Sequence, residues 1–294
     1  MQQIGIQNMK MIAAVLFILA FALPASSQAI TSTTDGTNPP IRTVPSKPTN
    51  SVPVVVTWDY YAQPKTLIVH ALNNSGKDIV GYTISMRHKL PDGTLDKEGW
   101  SETTSEMLSM LVNIQLAREP AVEEREQRKS DNGIFFAGTT RDMPINGVNS
   151  GSELEMAADV VFYADASFDE HNDDAFKRML AERQGSLMAM KKVNEIINNA
   201  LANPATEHPT TAAITELSKY LVEDTNQTDD DPFGHTQHMN LRNDIQGEIQ
   251  NLPYLQRPQQ GTSERERLTR YVEEREKRIE LMTPHCHLEI ALKQ

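Results

Sequence analysis

The chain has 294 residues and a formal net charge of -12 at pH 7, and its hydrophobic and aromatic fractions are 38% and 6%. The acidic excess argues against nucleic-acid binding through phosphate neutralisation and against a peripheral anchor on anionic lipid. The single cysteine, Cys286, excludes an intramolecular disulfide, so burial and hydrogen bonding must stabilise the fold.

Residues 1–29 follow the pattern of a secretory signal peptide. Lys10 precedes the apolar run MIAAVLFILAFAL (11–23), which is short for a membrane span of about 20 residues. Ser27 and Ala29 place small residues at the two positions that cleavage requires, so we predict cleavage after Ala29. Retention of the segment as an N-terminal anchor is the alternative. We therefore expect a secreted or periplasmic protein that has no membrane contact after cleavage.

Residues 30–52 have the composition of an extended, disordered linker. They contain four prolines and many Ser, Thr and Asn residues. Proline fixes φ and removes a backbone donor, and the polar residues bury little apolar area.

Three segments then predict β-strands, 53–60, 65–72 and 79–88, because they are rich in β-branched and aromatic residues. In the third segment apolar residues from Val80 onward alternate with small or polar ones. This period predicts that one face of the strand lies on a core and the other faces water. The polar connection Asn73–Asp78 has the chemistry of a turn.

The succession of a buried run, an Asn-rich turn, a Lys-Asp-Ile entry into an alternating strand and an Asp92-Gly93 turn resembles immunoglobulin-like modules of exported bacterial proteins. The FxLYD-type domain is the nearest pattern, although its tetrapeptide does not occur here. The resemblance covers about residues 53–95, or extends through 165 if the later strands belong to it. It implies a sandwich that serves as an interaction or accessory module, not as an enzyme.

Residues 103–129 predict a helical insertion in this sandwich. Thr103 and Glu106 match a capping box, and apolar residues recur at helical spacing up to Ile114. A strand over 108–116 is the alternative.

Two later segments complete the predicted sandwich. Residues 134–138 read as a strand that ends in a turn, and residues 152–167 read as a long strand or a pair of strands with both faces covered. We thus predict an antiparallel immunoglobulin-like β-sandwich over 53–167, with about six or seven strands.

From Asp173 the hydrophobic rhythm becomes helical, and a helical region is predicted over 173–294. Its first helix runs from Asp173 to the Asn203-Pro204 pair, with Asp173 or Asp174 as its N-cap. Further helices are predicted over 209–224, 238–250 and 262–282. The predicted fold class is therefore α+β.

The last predicted helix, 262–282, begins with a capping box at Ser263 and Glu266. Its narrow apolar seam consists of Leu268, Tyr271, Val272 and Ile279. Such a seam can pack within the chain or pair with a second copy. An envelope scaffold that oligomerises through this helix is one alternative function.

The segment DASFDEHNDD (165–174) carries candidate metal ligands. Asp165, Asp169 and Asp173 recur at alternate positions together with Ser167 and His171, as the ligands of calcium loops do. The Gly and Glu that mark an EF-hand loop are absent from their positions. The alternative is a solvated loop whose last carboxylates stabilise the start of the following helix.

Histidines form a second candidate metal site. His235 and His238 would share a face of a helix, and His285 and His287 flank Cys286. Zinc needs three or four such ligands, which would have to meet in space. Surface histidines are the alternative, and Cys286 is interpreted either as a thiol activated by its neighbours or as an unreactive residue of the C-terminal segment.

No common hydrolase or nucleotide-binding motif occurs. Trp58 and Tyr60 share one face of a predicted strand, either as a sugar platform or as sandwich core. We therefore predict an exported, non-enzymatic accessory or protein-interaction module without a cofactor, with a protein partner and weak self-association. A metal-assisted hydrolase that uses the histidine and aspartate clusters is the alternative of a different class.

Overall fold

The computed structural model describes residues 41–43, 53–61, 65–90, 92, 94–116, 134–146, 154–224, 231–257 and 261–286. The predicted signal peptide and most of the predicted linker lie outside these residues. The strands are β1 Ile41–Thr43, β2 Val54–Tyr61, β3 Thr66–Asn73, β4 Ile79–Lys89, β5 Leu95–Glu106, β6 Thr140–Asn146, β7 Leu154–Tyr163 and β8 Phe168–Glu170. The helices are α1 Leu108–Leu116, α2 Asp173–Ala202, α3 Pro209–Glu223, α4 Pro232–Asn251 and α5 Glu264–Met282, with 3-10 turns at Leu252–Gln256 and Thr283–Cys286.

The strands form two antiparallel sheets. Sheet A has the order β1-β2-β3-β6, and sheet B has the order β5-β4-β7-β8. Alternate residues of β2, beginning with Val54, are buried and face the opposing sheet, as its pattern predicts. The shared core contains residues of both sheets: Val56, Trp58, Leu67, Val69, Ile79, Tyr82, Ile84, Phe135, Leu154, Met156, Val161 and Tyr163. The α+β class is confirmed.

Sheet B is covered on its second face as well, by the first half of α2. The prediction that one face of β4 meets water is therefore wrong, because Thr83 and Ser85 are buried beneath the helix. Phe162 of β7 stacks on Phe176 of α2 with ring centroids 5.6 Å apart. The order of layers is sheet A, sheet B and helix, since the apolar face of α2 needs an apolar partner.

The second half of α2 is the centre of a helical bundle with α3, α4 and α5. Buried residues of all four helices form its core: Val193, Ile197, Ala213, Leu217, Leu241, Ile245, Leu268 and Val272. The helix prediction for 173–203 is confirmed, but Asn172 is the N-cap and accepts from the backbone N–H groups of Asp174 and Ala175. The capping box of Ser263 and Glu266 at α5 is confirmed. Helix α4 begins earlier than predicted, because Asp231 caps it and Pro232 occupies its first turn.

The chain between β4 and α1 differs most from its prediction. Residues 103–106 belong to strand β5, and the helix begins only at Leu108. The Glu106 carboxylate accepts from the Leu108 N–H, so Glu106 caps the helix from outside. Hydrogen bonding to β4 holds the predicted first helical turn in extended form. The rest of the predicted insertion, 117–129, lies outside the described residues.

The strand predicted at 134–138 is reduced to one bridge between Phe135 and Ile79. The strand that pairs with β3 is instead β6, most of which lies in the segment after Gly138 that is predicted to be the turn of that strand. Pro144 is tolerated there because β6 is at the edge of sheet A. None of the helices in the described part of the chain has the length and apolarity that crossing a membrane demands.

Candidate functional site

The acidic segment 165–174 is not a single loop, because it contains strand β8 and the first two residues of α2, and each predicted ligand in it contacts protein groups. Lys77 places Nζ 2.8 Å from Asp165 Oδ2 and donates to Ser167 Oγ over the same distance. The hydrogen bonds from Lys77 and then Ser167 hold the pKa of Asp165 well below its usual value. The ammonium group of Lys77 thus provides the positive charge that a bound cation would bring to this carboxylate.

The other two aspartates of that segment, Asp169 in β8 and Asp173 at the start of α2, have different partners. Asp169 accepts a hydrogen bond of 2.5 Å from the Tyr163 hydroxyl, and burial together with this carboxylate raises the pKa of Tyr163. Asp173 pairs with Lys177 at 2.7 Å, one turn along α2. Across the residues the structure describes, no three His, Cys, Asp or Glu side chains are arranged to hold a metal ion. A metal at Asp165, Asp169 and Asp173 remains a prediction.

The two histidines of α4 have different surroundings. His235 is exposed, whereas His238 is half-buried with Nδ1 3.6 Å from Asp224 Oδ2 at the end of α3. Arg242 lies 3.9 Å from the same carboxylate oxygen and donates to the Asp224 carbonyl at 2.7 Å. A guanidinium group therefore already provides a positive charge there. His285 is buried in the C-terminal 3-10 turn, and His287 lies beyond the described residues.

Cys286 is buried among apolar side chains at the junction of sheet B and α2. Its thiol donates weakly to the Arg183 carbonyl at 3.5 Å. Burial raises the pKa of Cys286 to about 11. The thiol is therefore protonated at neutral pH and is a poor nucleophile, which favours the unreactive interpretation.

The aromatic pair of β2 belongs to the core. Trp58 is 3% exposed and Tyr60 is 8% exposed, and both pack between the sheets. This observation favours the core interpretation over a sugar platform.

The outer face of sheet A carries a cluster that the sequence did not reveal. His70 of β3 bridges two neighbouring strands, with Nδ1 2.7 Å from Asp142 and Nε2 3.3 Å from Asp59. The two ring nitrogens point in opposite directions, so the two carboxylates cannot converge on one ion with the ring. The cluster ties three strands together through side chains.

A cleft of about 480 Å³ lies between α4 and α5, with α2 beneath it. Ala189 and Met190 of α2 contribute apolar surface to its lining. The walls are polar and come from residues spaced by helical turns on the two other helices, among them Asp244, Glu248 and Arg275. This volume is within the usual range for small-molecule sites, about 300–1,000 Å³.

A buried ionic network forms one side of the cleft. The Arg275 side chain is only 7% exposed, and its Nε donates to Asn194 Oδ1 at 3.0 Å. Its Nη1 pairs with the Glu248 carboxylate, to which the Tyr271 hydroxyl also donates. Burial raises the pKa of Tyr271 to about 12, so its hydroxyl is a donor at neutral pH. These contacts hold the guanidinium plane in one orientation.

The sequence predicts Tyr271 as part of an apolar seam and gives no indication of the role of Arg275. The seam itself packs inside the chain: Leu268 and Val272 are buried in the bundle core, and Tyr271 is packed against it. Oligomerisation through this helix remains a prediction that would require another surface of α5. The spacing of Tyr271, Arg275 and Arg278 along one face was the only available signal for the cleft.

No protein-family model and no curated protein matches the chain. Among solved structures, a hypothetical protein from Peptoclostridium difficile 630 is similar to part of it, with 12% sequence identity and a TM-score of 0.23. The match covers 41% of this chain and 87% of that chain. A similarity at this level supports no inference about fold or function.

Proposed function

We propose that the protein is an exported, non-enzymatic accessory module that binds a partner protein through an immunoglobulin-like sandwich. Export rests on the predicted signal peptide. The immunoglobulin-like assignment is supported by strand order. In that fold strands A, B and E are neighbours in one sheet, C, F and G are neighbours in the other, and an additional C′ strand flanks C. The orders β2-β3-β6 and β5-β4-β7-β8 correspond to these arrangements.

The observation that carries partner binding is the edge formed by β5. This strand has 12 residues, contains no proline and pairs with β4 alone among the described strands. The remaining sheet edges are poor templates for a further strand. Strands β1 and β8 have three residues each, and β6 contains Pro144.

A long edge strand offers a row of backbone donors and acceptors, on which an extended peptide can add a strand. The sequence of β5 has four acidic residues, of which Glu102 and Glu106 already pair with Arg178 and Arg183 of α2, and one basic residue, Lys97. The expected partner segment is therefore extended and polar, with basic side chains. Contacts between backbones would provide affinity, and the remaining acidic residues, Asp96 and Glu98, would select the partner.

Site-specific photocrosslinking tests this proposal. A benzoylphenylalanine at Thr103 of β5 is expected to crosslink one discrete protein from the native extracytoplasmic fraction, and excess unmodified chain should compete. The same group at the exposed Thr215 of α3 is the matched control. Equal or absent crosslinking at the two positions would contradict the edge assignment. Stoichiometric metal in the purified protein, together with hydrolytic turnover, would instead favour the metal-assisted hydrolase.

A further inference from the structure

We propose that the cleft between α4 and α5 binds a small zwitterion of the free amino-acid class, which carries one carboxylate and one ammonium group. The site belongs to the helical bundle, and it does not depend on strand addition at β5. Three features of the cleft support this ligand: its open volume, an oriented guanidinium group, and two carboxylates that have no ion-pair partner among the described residues.

The cleft is open partly because a glycine, which has no side chain, lines it. Gly247 of α4 faces it, and a Cβ atom added there would meet no heavy atom within 4 Å. Asp244 and Asn251 lie about one turn before and after Gly247, so one polar stripe of α4 lines the cleft. Glu274 and Arg278 contribute the corresponding stripe of α5. A small polar molecule therefore has room between two walls that can hydrogen-bond to it.

Arg275 provides the carboxylate end of the proposed site. Its Nε and Nη1 donate to Asn194, Glu248 and Tyr271, while its Nη2 donates to none of the described residues. The guanidinium group is therefore held in place with one nitrogen available to a ligand. A planar guanidinium group in a partly desolvated site is well suited to a carboxylate oxygen.

Asp244 and Glu274 provide the ammonium end. Both line the cleft, and neither forms an ion pair or a side-chain hydrogen bond with a described residue. An ammonium group has three donors, which can be shared between two carboxylates. Each such charge-assisted bond is stronger than a neutral one.

The lining carries charges of both signs, so it favours a ligand that also carries both signs. Asp244, Glu248 and Glu274 bring three negative charges, and Arg275 and Arg278 bring two positive ones. A phosphorylated or otherwise strongly anionic ligand would face the carboxylates, and a polyamine would face the two guanidinium groups. A zwitterion places one charge of each sign opposite its complement.

Isothermal titration calorimetry of the purified protein against the twenty free L-amino acids, one at a time, tests the proposal. At least one is expected to bind saturably with one site per chain. Propionate, which carries only the carboxylate, and propylamine, which carries only the ammonium, should bind at least about tenfold more weakly, since each loses a charged hydrogen-bonding group. Failure of every amino acid to bind at millimolar concentration, or equal binding of either half-probe, would overturn the proposal.

Two pairs of variants locate the binding. Gly247→Phe fills the cleft and should abolish the titration, whereas Gln246→Phe, next to it on the exposed side of α4, should leave it unchanged. Asp244→Asn should weaken binding about tenfold, whereas Glu273→Gln on the exposed side of α5 should not. Circular dichroism checks that each variant is folded. If Gly247→Phe does not fold, the binding measured for Asp244→Asn tests whether the ligand binds in the cleft. Unchanged binding in a folded cleft variant would show that the site lies elsewhere.

Discussion

At the scale of single residues, Arg183 of α2 does the most to join the sheets to the helices. Its side chain is 2% exposed and donates to both oxygens of Glu106, at 2.8 and 3.1 Å. It also donates to the carbonyls of His285 and Val80, and its guanidinium carbon lies 4.0 Å from the ring centroid of Phe162. The Arg183 side chain thus contacts β4, β5 and the C-terminal turn through hydrogen bonds, and it contacts β7 through the ring of Phe162.

Replacing Arg183 with methionine should destabilise the protein. The variant keeps apolar bulk over Phe162 but leaves Glu106 without its cation. Breaking a buried pair typically costs 3–5 kcal/mol, and we expect about 2 kcal/mol here because Glu106 is 31% exposed and can be hydrated. Urea denaturation of Arg183→Met, Glu106→Gln and the double variant measures the coupling. A coupling below about 0.5 kcal/mol would show that the pair contributes little.

Asp159 of β7 makes the free energy of unfolding depend on pH. The residue is buried, and desolvation raises the pKa of its carboxyl above the ordinary 3.8, against the opposing hydrogen bonds from Ser85 and Asn172. The folded state therefore holds this proton more tightly than the unfolded state does. The stabilising contribution of protonated Asp159 is present below about pH 4 and is lost as the pH rises through the folded-state pKa.

Asp159→Asn should remove this dependence, because an amide can keep the hydrogen bond from Asn172. The stability of the variant relative to the parent should rise between about pH 4 and about pH 7. Urea denaturation at both pH values measures the difference, with the exposed Glu273→Gln as control. A relative stability that is flat or falls over this interval would contradict the assignment.

At the scale of elements, the crossing of α2 and α4 depends on a glycine. A Cβ atom at Gly185 would lie 2.3 Å from the carbonyl oxygen of Gln237 and 2.9 Å from Cβ of Asn240. The two helices approach at backbone distance there, which no larger residue permits without displacement. Helix propensity alone disfavours a glycine inside a helix of 30 residues, so tertiary packing determines this position.

Gly185→Ala and Gly247→Ala form a matched pair of tests within helices. Gly185→Ala should destabilise by about 1–3 kcal/mol, because the rigid carbonyl of Gln237 must move. Gly247→Ala adds a methyl group in open space and should stabilise by about 0.4–1 kcal/mol through the lower entropy of the unfolded chain. Thermal and urea denaturation give both values. A stabilising Gly185→Ala would mean that the helix crossing is not closely packed, and a destabilising Gly247→Ala would contradict the open space beside Gly247.

At the scale of the whole molecule, sheet B is the layer that connects the two hydrophobic environments. One face of it packs on sheet A, and the other packs on α2, which continues into the bundle. Residues of β4, β7, α1, α2 and the C-terminal turn share this second core. Exposing either face of sheet B would leave apolar residues in water, so the described sheets and helices should unfold together.

A single unfolding transition is therefore expected. Trp58 fluorescence reports on the core between the sheets, and circular dichroism at 222 nm reports mainly on the helices. In a Trp100→Phe background, which leaves Trp58 as the only tryptophan, the two urea midpoints should coincide. Separate midpoints would show that the sheets and the bundle are independent folding units.

Much of the element order was predictable, because the local period records which side chains are buried. The change from alternation to helical spacing is confirmed, with β8 ending at Glu170 and α2 beginning at Asp173. The α5 capping box is also local, since both partners lie within one turn. Candidate site residues were less predictable. Asp165 was chosen as a metal ligand from its spacing, and only the folded chain brings Lys77 to it.

Local pattern thus accounts for strands β2, β3, β4 and β7, for helices α2, α3 and α5, and for the cap of α5. Other features depend on partners that are distant in the sequence. β5 is a strand because β4 lies beside it, and the second face of β4 is buried because α2 covers it. The cleft exists only where residues of α2, α4 and α5 meet. The physical reason is that periodicity encodes how much of each side chain is buried but not which segment buries it. That choice is made by the summed packing of segments far apart in the chain.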